Sequence, residues 1–287
     1  VDAADWYADS LAEAVAERSP TPAAADFDVP GFATVDPTTL RQPLADADID
    51  RYRAVGGDVA AAIEAVGRSI APTDTEREVA TELRAALEAR GLVAPVVLVG
   101  GDERAQQYRH YTPTETAVGD YALLSVTAHR GGLHASATRT VAFDAPDWLA
   151  DRHRTAATVE TSALAATQQV AATDGTAGDV FDAIQQAYAA VDWPNGWTHH
   201  HQGGAAGFAG REWIATPDHA ASIFTPMAYA WNPTVQGAKS EGTVVVTDDA
   251  IEPLTLSDAW PTIDVDAVDD TVGDATLARP AVLHRDP

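Results

Sequence analysis

Three consecutive histidines, His199, His200 and His201, lead into a glycine- and alanine-rich segment that ends at Arg211 and Glu212. Imidazoles titrate near neutrality and can move protons or ligate metals. The small residues let the backbone approach a bound group closely. In extended chain His199 and His201 share one side and His200 faces the other. Glu212 stands before Trp213-Ile214, and Glu241 before the β-branched run from Thr243 to Val246. A carboxylate in an apolar strand needs a partner or stays protonated, and two that converge separate into one acid and one base. His110, between Arg109 and Tyr111-Thr-Pro, is a further candidate acid or base.

Arg139 and Arg211 carry the planar fork that grips a carboxylate, whether a substrate's or an internal one. Ser125 and Ser136 have no Gly-x-Ser-x-Gly elbow around them, so they read as strand residues lining a cleft and not as nucleophiles. Trp197, Trp213 and Trp231 flank these segments, as pocket walls or as core.

The elements that must hold these residues occur twice. Trp6, Leu11, Ala14 and Val15 fall near one helical face, and Pro20, Pro22 and Pro30 end that pattern. Ile49 to Ile70 has helical periodicity, and Thr73 with Glu76 reads as a capping box for a second helix ending before Gly91. Val93 to Val99 is a continuous β-branched run, hence a buried strand. Asp120 to His129 and Leu133 to Phe143 flank Arg130-Gly131-Gly132 as a hairpin. Trp148 to Val170 and then a segment to Val191 repeat the helix pair. His199 to Ala215 reads as two strands with a glycine-rich link, followed by strands at Pro226 to Trp231 and Glu241 to Thr247. Ala71 to Val79 resembles Ala171 to Val180 at the start of the second helix in each half. A unit that cannot close its sheet alone pairs with its copy, which puts the site in the cleft between copies.

Composition narrows the setting. The 287 residues carry 43 acidic against 18 basic side chains, a net charge of −25, and Lys239 is the one lysine. Carboxylates spread along the whole chain suit a salt-filled cytoplasm, where the screening length falls to ~3 Å or less. A halophilic, cytoplasmic protein with an acidic surface is expected. No basic stripe exists for nucleic acid, no apolar run is long enough to span a membrane, and the absence of cysteine excludes disulfides and thiolate metal sites.

In order along residues 48 to 257, several segments resemble the pita-bread superfamily of methionine aminopeptidase, aminopeptidase P, prolidase and creatinase (peptidase M24). They are Arg109-His110-Tyr-Thr-Pro113, Gly132 to Thr140 ending in Thr-Arg-Thr, His201-Gln-Gly-Gly204, Glu212 with Pro217, and Met227 followed by Glu241-Gly-Thr243. The resemblance implies an α+β fold of two pseudo-symmetric helix–helix–strand–hairpin halves around a curved antiparallel sheet. Residues 46–260 would form this domain, with 1–45 an N-terminal remnant or linker and 261–287 a C-terminal extension. Peptidases of the family hold two divalent metals on two Asp, one His and two Glu. Here Ser125 and Ser136 stand where the aspartates would be, and a neutral hydroxyl is a poor divalent ligand. The pattern resembles a subgroup without those aspartates, so no resident metal is expected, with a single ion on His201, Glu212 and Glu241 as the alternative. The metal-free relatives suggest hydrolysis of a C–N bond in a small amide, amidine or imidopeptide. His110, His201, Glu212 and Glu241 would be catalytic, and Arg139, Arg211, His200 and Trp231 would contact the substrate. His200 with Gly203 is the other register for the histidine. A short peptide or small molecule is the expected partner, a homodimer the assembly the family suggests, and a ligand- or protein-binding module without activity the competing reading.

Overall fold

The computed structural model describes residues 10–268 and 274–286; Trp6 lies outside them. The chain divides into two compact units, Val1–Gln42 and Pro43–Pro287. In the first, the Ser10 side chain accepts from the Glu13 N–H and caps α1 (Leu11–Arg18), and Asp36 caps a 3-10 turn over Pro37–Arg41.

The second unit contains the repeat. Its first half is α2 (Asp46–Ser69), α3 (Glu76–Glu88), β1 (Val93–Gly101), the short α4 (Asp102–Gln107), β2 (Tyr121–Arg130) and β3 (Leu133–Ala142). Its second half is α5 (Leu149–Ala171), α6 (Ala177–Ala190), β4 (Gly203–Ala206), β5 (Met227–Trp231) and β6 (Gly242–Val246). The strands form one curled sheet in the order β1-β2-β3-β6-β5-β4, antiparallel at every step, so the second half runs as the mirror of the first. The α+β fold expected from the sequence is therefore present. Matching isolated bridges, Thr75 to Ala117 and Thr176 to Ser222, tie each capping residue to the loop facing it. β7 (Ile251–Pro253) adds to β6, while β8 (Thr262–Asp266) and β9 (Thr276–Pro280) make a separate ribbon. Beyond it β10 (Leu283–His284) pairs in parallel with β3.

Local sequence explains most of these elements. Thr75, and not Thr73, caps α3, with Glu78 returning to the Thr75 N–H. Thr176 and Asp179 repeat that box at α6. Gly131 and Gly132 both adopt positive φ (59° and 88°), as a two-residue turn between β2 and β3 requires. Gly56 sits inside α2 because a Cβ there would lie 2.5 Å from the Leu254 carbonyl oxygen. The core runs from Tyr52, Val59 and Ile63 of α2 through Leu124 and Val126 of β2 to Leu164 of α5 and Ile184 of α6.

Two further expectations change. The β1 run is an edge strand buried only in its second half: Val93 and Val96 are exposed, whereas Val97 and Val99 are buried. Pro95 explains this, since a residue without an N–H is tolerated at an edge, and the register shifts between Val93 and Val96. His199 to Ala215 forms one short strand, β4, and then irregular chain, so Glu212 is not in a strand. Among the described residues no helix is long and apolar enough to cross a membrane.

Candidate functional site

The two halves meet at one point of the sheet. Gly242 of β6 pairs with Ala137 of β3, the Thr138 N–H donates to the Glu241 carbonyl, and the Ser136 N–H donates to Thr243 Oγ1. Glu241 enters β6 at this junction, 5% exposed. Three groups converge on its carboxylate. Lys239 Nζ lies 2.8 Å from Oε2, Thr138 Oγ1 donates to Oε2 at 2.9 Å, and Arg211 Nη2 donates to Oε1 at 3.1 Å. Lys239 closes a tight hairpin of Thr234–Val235 and Ala238–Lys239 and is 3% exposed. Burial pushes the Glu241 carboxyl up, but the Lys239 ammonium and the Arg211 guanidinium outweigh it and hold the acid at about 2.

Hydroxyls continue inward from this carboxylate. The Thr138 proton goes to Glu241, so Thr138 accepts from Ser125 Oγ (2.7 Å), and Ser125 in turn accepts from the Tyr111 hydroxyl (2.7 Å). Burial raises the Tyr111 phenol far above its usual value, so its proton stays. A second group joins Thr127 Oγ1 to Ser136 Oγ at 2.9 Å, with Arg211 Nη1 donating to Ser136 at 3.2 Å. Ser125 and Ser136 are thus committed to hydrogen bonds with neighbouring side chains.

A cavity of about 380 Å³ opens over this floor. Its polar wall includes His110, His201, Arg211, Asn232, Lys239 and Glu241, and Pro95, Val96 and Leu98 give it an apolar side. The His110 and His201 ring centres are 5.6 Å apart. Burial first, then Arg211 and His110, lower His201 to about 4, and its Nδ1 is buried with no hydrogen-bond partner. Burial and then Lys239 lower His110 as well. Both rings are therefore neutral at neutral pH, each able to accept a proton.

The other expected site residues are not among those lining the cavity, although the His200 ring centre is 5.8 Å from that of His201. His200 is held by Gln202 Nε2, which donates to its Nδ1 at 3.1 Å, so its own Nε2–H donates to the Asn232 carbonyl. Burial, then Lys239, pushes it to about 3. The Glu212 carboxylate accepts from the Ala209 N–H at 3.0 Å and, unlike Glu241, is not among the cavity-lining residues. Arg139, 1% exposed, makes an internal ion pair with Glu64 on α2, donates to the Thr138 and Thr255 carbonyls, and stacks over Trp260. Trp231 is fully buried and donates from Nε1 to Thr167 of α5. Lys239, Thr138 and Asn232 were not singled out from the sequence. The one signal for Lys239 was its being the sole lysine, two residues before Glu241.

The donors at the floor do not suit a pair of divalent ions. Hydroxyls stand at Ser125 and Ser136, and both Glu241 oxygens already face cations. Among the described residues, no group of three or more His, Cys, Asp or Glu is placed to hold a metal ion.

The sequence profile of metallopeptidase family M24 matches residues 50–248. Among solved structures the chain is similar to the dipeptidase PepE from Mycobacterium ulcerans, at 21% identity and a TM-score of 0.61 over 79% of this chain and 64% of that one. It is similar to the prolidase from Pyrococcus furiosus at 15% identity and a TM-score of 0.67, over 79% of this chain and 69% of that one. The methionine aminopeptidase from Rickettsia prowazekii matches at 15% identity and a TM-score of 0.56, over 74% of this chain and 98% of that one. At these identities the likeness is one of fold. The chain spans less than two thirds of the length of the dipeptidase. No curated protein matches it in sequence.

Proposed function

Because the chain belongs to metallopeptidase family M24, we propose that it is a peptidase-like hydrolase that cleaves a C–N bond of a short peptide, amide, amidine or imidopeptide. We take its chemistry to be metal-independent, run by His110, His201 and Glu241. The single observation that supports this is the cavity in which two neutral imidazoles face a carboxylate kept ionised by Lys239 and Arg211.

Proton traffic follows from those protonation states. Glu241, held at about 2, carries no proton to give near neutral pH, so it is not the general acid. A neutral imidazole, His110 or His201, takes the proton from the attacking water and returns it to the leaving nitrogen. Glu241 fixes the two cations and accepts a hydrogen bond from a substrate N–H. His200, with both ring nitrogens engaged, positions the neighbouring rings.

The test is a panel of Xaa-Pro dipeptides, amino-acid amides and guanidino acids assayed with EDTA present. Turnover that persists in EDTA and falls by roughly 10²-fold or more in Glu241→Gln supports the reading. Turnover abolished by EDTA and restored by Mn²⁺ would refute the metal-independent mechanism. Saturable binding of panel members without any hydrolysis would favour a binding module.

A further inference from the structure

Lys239 is the chain's one lysine, and it is 3% exposed on the wall of the cavity. Burying an ammonium costs several kcal/mol unless a partner offsets it. Glu241 Oε2 is that partner, and one ion pair uses one of three N–H donors. Arg211 meets the other oxygen, and its Nε is buried without a partner. The floor therefore carries two fixed cations on one carboxylate, beside imidazoles that are neutral. An ammonium is a compact point charge, closer in shape to a metal ion than a guanidinium is.

We propose that Lys239 and Arg211 are resident cations occupying the positions that divalent ions would need on Glu241, and that they close this carboxylate to metal. That part stands on geometry alone. A second part rests on the functional reading above: the same cations supply the positive charge that a metal would offer the substrate. Water oxygen bonds to the substrate carbon, and the C=O π pair moves onto its oxygen. The water proton goes to His110 or His201. The oxyanion takes hydrogen bonds from the spare N–H groups of Lys239 and Arg211, with no proton transferred. As the pair returns, the C–N bond breaks and the nitrogen leaves with the imidazole's proton.

Because there is one lysine, growth on [ε-¹³C]lysine gives the full chain one labelled side chain, Lys239. Mn²⁺ on Glu241 would sit within a few ångströms of it and broaden the resonance beyond detection. The resonance is expected to survive one equivalent of Mn²⁺, and any weak broadening from ions on the acidic surface should be the same in Glu241→Gln. Loss of the signal at one equivalent in the natural chain, but not in Glu241→Gln, would overturn the proposal whether or not the protein hydrolyses anything. In calorimetry, Lys239→Met should raise Mn²⁺ affinity by roughly tenfold or more by exposing Oε2, and an unchanged affinity would count against closure. If a substrate is found, kcat should fall by roughly 10²–10³-fold in Lys239→Met with little change in KM, and recover in part in Lys239→Arg. An unaltered kcat would remove the second part and leave the first.

Discussion

The buried cluster at Glu241 makes an unequal pair of stability predictions. Lys239 and Glu241 are 3% and 5% exposed, and their charged atoms are 2.8 Å apart. Replacing Lys239 by Met leaves Glu241 with Arg211 and the Thr138 hydroxyl, a cluster of net charge zero. Replacing Glu241 by Gln leaves the buried Lys239 ammonium and the partly buried Arg211 guanidinium with no anion between them. Breaking a buried pair costs about 3–5 kcal/mol when the remaining charge has no other partner. The retained Arg211 contact puts Lys239→Met below that range, at about 2 kcal/mol, and Glu241→Gln within it, at about 4 kcal/mol. Combining the two removes the cation–cation conflict, so the double variant should be more stable than Glu241→Gln alone, by about 1–2 kcal/mol. Urea unfolding followed by the fluorescence of the seven tryptophans measures all three. With a slope of about 3 kcal/mol/M, the midpoints should move down by roughly 0.7 M and 1.3 M for the single variants. The differences should persist in concentrated salt, because buried charges are screened much less than exposed ones. If Glu241→Gln costs less than Lys239→Met, or if the double variant is the least stable of the three, the two cations are not balanced on this carboxylate and the account of the site fails.

Two further predictions concern the imidazoles and the packing of α2. His201 and His200 are lowered from 6.5 to about 4 and about 3, each first by burial. Below pH 6.5 the unfolded chain binds protons that the folded one refuses, so stability is full above that pH and falls as the pH drops. Each ring adds a slope of up to about 1.4 kcal/mol per pH unit, ending near its folded-state value. Urea midpoints between pH 7 and 5 should show this decline, and a midpoint independent of pH there would contradict the buried neutral rings. Within α2, adjacent glycines should respond with opposite signs. A Cβ on Gly56 meets the Leu254 carbonyl at 2.5 Å, whereas one on Gly57 meets nothing within 4 Å. Gly56→Ala should therefore lose about 1–3 kcal/mol and Gly57→Ala gain about 0.5–1 kcal/mol, and equal thermal midpoints would refute the packing of α2 on the chain after β7.

What the sequence made legible was whatever repeats or is spoken by neighbours in the chain: the two helix pairs, the Gly131-Gly132 turn, and the candidacy of His110, His201 and Glu241, which stand in the connections between elements and line one cavity. What it hid were choices made by distant groups. Thr73 with Glu76 and Thr75 with Glu78 are the same capping pattern in two registers. The fold uses the second because Glu76 is drawn inward, accepting from the Gly101 N–H, Arg104 and Thr114. Arg139 and Arg211 have identical chemistry, yet Glu64 on α2 captures the first while the second reaches the cavity. No local period distinguishes them, since each partner comes from another element. The glycine-rich chain before Glu212 has no alternation to betray that it is irregular and turns that carboxylate onto the Ala209 N–H. Lys239 was visible only as a compositional oddity, and its meaning depends on a two-residue hairpin that carries its ammonium onto Glu241. The same dependence explains the serines. Ser125 and Ser136 read one at a time give no sign of this setting: Glu241 with Lys239 and Arg211 carries a net charge of +1, which acids at both positions would turn to −1. Hydroxyls pass a chain of hydrogen bonds from Tyr111 to Glu241 and add no charge. Hydroxyls at Ser125 and Ser136 are therefore electrostatically consistent with a floor whose charge is set by Glu241, Lys239 and Arg211.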